Sequence, residues 1–434
     1  MPRWYRDRPE PALTTECHKY AYFARQSRRV IPQECDLWHN WHMANLVVVE
    51  TPHPSLPLTV TSHLLARQAH PYGIGKEELA ERSNAHWRRR QEAAATPHVR
   101  RDFEPTWQRL NGLSVLTMEP RWFEPETDIV YFYGGGFTQP VDESHWWLLE
   151  ALGHALAARI HLVKHPLAPE ATADYTVPAV TGAYQELATQ IRDHWAKTAR
   201  HTTPEPARLV LAGDASGGGL ALVVAEAVRG TDAAPDHLVL LSPWLDLTVS
   251  HPEFDQFGEH DPFISRTAAK ADASDYQGEW ALDDPRVSPA FAEATGLPPV
   301  TVVTGTNESL FPEIRDWAEK AAANGNDVAL FVAHGGFHLF PTAVKLPESE
   351  QAMVFIADRV QGAAEHWHDE DAAQRWAHEV WAEAGYDPAF EAEDLTDSGE
   401  GELFADDSGA ADADEDGLLW HGGAEHWHDG PLDV

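Results

Sequence analysis

From about residue 113 onward the chain alternates short apolar runs with longer stretches whose apolar positions recur every three or four residues. The runs "LSVLTMEP", "TDIVYFY", "RIHLVKHP", "ARLVLAGD", "DHLVLLSP", "PPVTVVTG" and "VALFVAH" are too short and too uniformly apolar for amphipathic helices, and they read as buried strands. Between them, "ESHWWLLEALGHALAAR", "VPAVTGAYQELATQIRDHWAKTA", "GGGLALVVAEAVRG", "FPEIRDWAEKAAANGN" and "ESEQAMVFIADRV" carry helical spacing. Gly230 follows the third of these, where a helix stop is expected. Strand and helix in regular alternation predict an α/β fold: a mostly parallel sheet covered by helices on both faces. In such sheets ligands sit beyond the carboxyl ends of the strands, so the loops that follow the strands are where chemistry is expected.

The flanks read differently. Residues 1–110 are aromatic, basic in patches and irregular. "ECDLWHNWHMANLVVVETP" leads into a short strand and "GKEELAERSNAHWRRRQEAAA" reads as an exposed helix, together an N-terminal cap or entry segment. The central domain is expected over 111–365. From 366 to 434 the chain is an acidic extension rich in Gly, Ser and Ala, expected to be largely disordered beyond one helix. It repeats the hexapeptide "AEHWHD" at 364–369 and 424–429.

Charge sharpens this division. The formal net charge is −37, and residues 366–434 hold 21 acidic residues against one basic residue, Arg375. So acidic a chain is not expected to bind nucleic acid or an anionic membrane surface, both of which need a basic face. Two cysteines, Cys17 and Cys35, make no disulfide framework. The N-terminal stretch shows no signal-peptide pattern and no apolar run is long enough to span a membrane, so the cytoplasm is the expected location. The tail histidines lack the fixed donor set a metal needs. A calcium-loop start at Asp412, Asp414 and Asp416 has Gly423 at its twelfth position. No metal or cofactor is expected, an oligomer is possible, and the expected partner is a small molecule.

Four strand ends carry candidate chemistry. After "TDIVYFY" come Gly134, Gly135 and Gly136, whose bare N–H groups could hold a developing oxyanion. After "LVLAGD" a sharp strand-to-helix turn would lift one side chain above the sheet, and it needs small residues two places before and after. Centred on 215, these are Gly213 and Gly217, but position 215 is alanine; centred on Ser216, they are Asp214 and Gly218. Sterics favour Ala215 at the apex, whereas a nucleophile requires Ser216. Gly217–Gly219 would permit a one-residue slip of the turn. After the last two strands come Glu308, an acid placed to orient an imidazole, and His338, a general base. Glu313 and Asp316 are rival acids, and His334 is a rival base. The order serine, acid, histidine is that of the α/β-hydrolase triad.

The set "YFYGGGF" (131–137), "HPLAPE" (165–170), "GDASGGGLAL" (213–222), "SPWLDL" (242–247), "DPRVSPAF" (284–291), "GTNESLFPE" (305–313) and "GGFHLFP" (335–341) resembles the hormone-sensitive-lipase-like family of α/β-hydrolase esterases. The resemblance implies an eight-stranded α/β-hydrolase sheet with an N-terminal cap and no cofactor. It implies hydrolysis of carboxylic esters with short or medium acyl chains through an acyl-enzyme. It carries the oxyanion role to Gly134 and Gly135, the acid to Glu308 and the base to His338. With Ser216 as nucleophile, Gly217 would supply the third oxyanion N–H. Two departures stand out: Tyr133 replaces the histidine that usually opens the glycine loop, and the elbow reads Gly-Asp-Ala-Ser-Gly-Gly where the family has Gly-Asp-Ser-Ala-Gly-Gly. A hydrolase scaffold that binds a ligand without turnover is therefore the alternative expectation.

Overall fold

The computed structural model describes residues 45–51, 53–67, 95–198, 209–259, 261–343 and 346–361. The chain divides into two units, 1–362 and 363–434, and the second lies outside the described residues, as do the tail repeats and the expected helix within 75–95.

The strands are β1 (Leu46–Glu50), β2 (Phe103–Leu110), β3 (Leu113–Pro120), β4 (Thr127–Phe132), β5 (Ala158–Lys164), β6 (Leu209–Asp214), β7 (His237–Leu241), β8 (Val300–Asn307) and β9 (Val328–Phe337). They form one sheet in the order β1-β9-β8-β7-β6-β4-β5-β3-β2. Six neighbouring pairs, from β1–β9 across to β4–β5, run parallel, and β3 pairs antiparallel with both β5 and β2. Among the described residues the sheet thus has nine strands rather than the eight expected. Both edge strands come from the stretch read as a cap. β1 is the β-branched run "LVVVE", half-buried along β9. β2 was not legible as a strand, because an edge strand facing solvent carries Pro105 and few apolar residues.

The central strands β4, β6 and β7 are buried at every position, which is why they read as unbroken apolar runs. The main helices are α1 (Leu56–Arg67), α2 (Pro97–Asp102), α3 (Glu143–Ala155), α4 (Ala173–Thr198), α5 (Ala215–Ala227), α6 (Phe254–Gly258), α7 (Arg266–Tyr276), α8 (Phe311–Ala323) and α9 (Pro347–Gln361). α5 is buried from Ala215 to Ala225, which its nearly unbroken small and apolar sequence allows. α6 and α7 fill the long connection from β7 to β8. No helix among the described residues is long and apolar enough to cross a membrane.

Candidate active site

β6 ends at Asp214 in extended backbone, and α5 begins at Ala215 with φ of +45°. A non-glycine residue in the left-handed region costs roughly 1–2 kcal/mol, so the surrounding packing must impose it. The flanking glycines show how. A Cβ on Gly213 would meet the Gly217 carbonyl oxygen at 2.4 Å, and one on Gly217 would meet the Phe132 oxygen at 2.2 Å. These contacts set the turn in the register that puts Ala215 at its apex. Ser216 follows in the first turn of α5, fully buried, and its Oγ accepts the Phe137 N–H at 3.2 Å.

The acid and the base meet. Glu308 lies just past β8 and His338 just past β9, and Glu308 Oε2 is 2.8 Å from His338 Nδ1. Glu308 is fully buried and its Oε1 also accepts from the Gly305 N–H and the Thr304 hydroxyl. With Nδ1 committed to the carboxylate, Nε2 is the imidazole nitrogen left for proton transfer. Burial alone would lower the pKa of His338. The hydrogen bond to Glu308 and its charge outweigh that and raise it, with Asp261 contributing further. Asp261 is itself buried, held by the N–H groups of Phe263, Ile264 and Ser309.

The rivals have other tasks. Glu313 accepts the N–H groups of Leu245 and Asp246, bracing the loop after β7. Asp316 pairs with Arg315 and His251. His334 faces Glu50 at 3.4 Å on the β1 side of the sheet.

The glycine loop differs in detail from expectation. The Gly134 N–H is not presented to a ligand, because it donates to Asp214 Oδ1 at 2.9 Å. Gly135 and Gly136 take φ of +112° and +62°, conformations that suit glycine, and Gly135 O accepts from Gln139 N to close the turn. Tyr133 lies stacked on His165 with ring centroids 4.2 Å apart. Its hydroxyl donates to the His165 carbonyl, and a His165 ring N–H returns the contact to the Tyr133 carbonyl. The phenol thus ties the loop to the "HPLAPE" turn.

Two features were not found from the sequence. Asp214 gathers Tyr131 Oη (2.7 Å), Gly134 N and, at 3.6 Å, His145 Nε2. His145 Nδ1 contacts Asp142, the N-cap of α3, at 2.7 Å. Burial would lower the pKa of His145, but Asp214 and Asp142 push it up to about 10. The only signal was an aspartate just before the elbow; His145 looked like one residue of an amphipathic helix. The second feature is α7, whose Tyr276 stacks on Phe137 at 3.6 Å and whose Asp272 accepts the Thr138 hydroxyl. Its alanine-rich, polar sequence gave little periodicity.

Residues 129–342 match the family model described as alpha/beta hydrolase fold. Among curated proteins, the chain is similar to an esterase of Acinetobacter venetianus, 29% identical over 53% of this chain and 73% of the relative. It is also similar to an acetyl-hydrolase of Streptomyces hygroscopicus, 27% identical over 49% and 67%. It matches a triacylglycerol lipase of Mycobacterium tuberculosis at 28% identity, spanning 52% of this chain and 45% of the lipase. Among solved structures, an esterase from the bacterial hormone-sensitive lipase family superposes with a TM-score of 0.57 at 25% identity, covering 70% of this chain and 97% of that one. Fold, motif order and these likenesses agree: the chain has the α/β-hydrolase fold and is similar to the hormone-sensitive-lipase-type esterases.

Proposed function

We propose that the protein hydrolyses carboxylic esters of short or medium acyl chain at the elbow between β6 and α5. The observation that carries this reading is the buried Glu308–His338 pair at the carboxyl end of the sheet. A buried carboxylate aligned on an imidazole is costly to desolvate, and its use is to orient a base and stabilise it once protonated. His338 would take the proton of the attacking hydroxyl at Nε2 and later give it to the leaving alcohol. The N–H groups of Gly135 and Gly217 would face the oxyanion. Gly134 would join them only by leaving Asp214.

Ser216 is the proposed nucleophile, and it reaches the apex by a one-residue slip of the elbow. The run Gly217–Gly219 supports such a slip. Two features oppose it: the Phe137 N–H must release Ser216 Oγ, and Asp214 must enter the place of Gly213, where a Cβ crowds the carbonyl at the place Gly217 now holds. Acylation is therefore slow in this reading. Ala215 at the apex favours the second reading, binding without turnover. Turnover of p-nitrophenyl butyrate separates them. Hydrolysis abolished by both Ser216→Ala and His338→Ala supports the first, and saturable binding with no hydrolysis supports the second.

A further inference from the structure

Asp102 closes α2 where the chain enters β2, and Glu150 and His154 stand four residues apart on one face of α3. Their ligand atoms all lie within 4.8 Å of one another, and His154 Nε2 is 3.2 Å from Asp102 Oδ2. Among the described residues, no other such grouping of three or more histidine, cysteine or carboxylate side chains occurs.

This is not a solvated acidic patch. Asp102 is 6% exposed and Glu150 is 5% exposed. The Glu150 Oε2 is buried and, among the described residues, accepts no hydrogen bond. An orphaned carboxylate oxygen in such surroundings carries a desolvation penalty. Arg101 pairs with Asp102, its Nε to Oδ1 at 2.7 Å and its Nη2 to Oδ2 at 3.2 Å, and it lies at the surface. Burial, and then the charge of Asp102, push Glu150 up to about 7, whereas bonds from His154 and Arg101 hold Asp102 low against its own burial. The rings of Phe103 and Phe123 pack against His154 with centroids 5.6 and 5.7 Å away, which holds the imidazole in place.

We propose that Asp102, Glu150 and His154 form a divalent-cation site, with Zn²⁺ the ion that fits. One imidazole and two carboxylates are a donor set zinc accepts, with a water in the fourth place. Bonds of about 2.0–2.2 Å put neighbouring donors of a tetrahedron roughly 3.4 Å apart, a spacing this cluster reaches with small side-chain adjustments. Arg101 remains on Asp102 Oδ1 as an outer partner, the role such hydrogen bonds play around metals. The cation binds the Glu150 oxygen that has no partner and joins α3 to the start of β2. His145 precedes His154 by nine residues on α3, about 13 Å along the helix, so the site stands apart from the Asp214–His145 contact, and its role is structural.

The test uses the full-length protein, stripped with EDTA and titrated with Zn²⁺ by calorimetry, with Tm recorded with and without the ion. Histidines elsewhere, the tail repeats included, can take zinc, so wild type is compared with Glu150→Gln and with His154→Gln. Wild type should bind one equivalent more than either variant, and Zn²⁺ should raise its Tm by several degrees while leaving theirs unmoved. Metal-free Glu150→Gln should melt no lower than metal-free wild type, because it loses a buried charge and keeps the volume. Equal stoichiometry and equal Tm shifts in all three proteins would overturn the site, as would wild type that takes up no zinc.

Discussion

Ala215 and Ser216 differ by one hydroxyl, and between them they decide what the site can do. The left-handed φ at 215 and the crowding around Gly213 and Gly217 put the alanine at the apex. Removing the serine from a working triad costs about a million-fold in kcat, so restoring one at the apex should do much of the reverse. Ala215→Ser is expected to raise kcat/KM on p-nitrophenyl butyrate at least ~100-fold; an unchanged rate would mean that the apex does not face the ester. The state of His338 sets the pH dependence. A general base must be neutral, and Glu308 raises its pKa, so activity should fall on the acid side with a midpoint above 6.5. Glu308→Gln should lower the rate and move that midpoint to lower pH, as read from a kcat/KM–pH profile. The residues of this pair were legible because each ends an apolar run. Asp261 was not, since an aspartate inside a polar connection carries no periodic signal.

At the scale of elements, the end of β6, the glycine loop after β4 and the first turn of α3 are joined through one carboxylate, Asp214. Its Oδ2 is buried without a hydrogen bond among the described residues, and it faces Nε2 of His145 at 3.6 Å, a residue whose pKa Asp214 and Asp142 push up to about 10 against burial. This arrangement has a definite sign in pH. The pKa of His145 is higher in the folded state than its usual 6.5, so its contribution to stability is complete below about 6.5 and is lost as pH rises toward about 10. Tm of wild type should therefore decline between pH 7 and 10 more steeply than that of His145→Gln, measured by thermal denaturation across that range. Parallel curves would show that His145 is neutral in the folded protein. The α/β alternation made β4, β6, β8 and β9 readable. The contact between α3 and β6 was not, because it joins residues about 70 positions apart through buried polar groups that periodicity does not record.

Across the whole molecule, the sheet is wider than the motifs required. β1 extends it beyond β9 and β2 extends it beyond β3, so stretches that looked like an appended cap contribute strands. The acidic tail stands apart in composition, with about 21 of the 69 acidic residues in 69 positions and almost no basic ones. Deleting 390–434 should leave the Tm unchanged within about a degree, and a large drop would show that the tail takes part in the fold. The elbow decides between turnover and binding, and a covalent mark located on it tells them apart. The folded protein is treated with a fluorophosphonate probe, digested and mapped by mass spectrometry. We expect a slow adduct on Ser216 that is absent in His338→Ala, together with fast labelling of Ala215→Ser at the introduced hydroxyl. No adduct on Ser216 in folded wild type, while Ala215→Ser labels rapidly, would contradict the slip and leave a site that binds its ester without acylation.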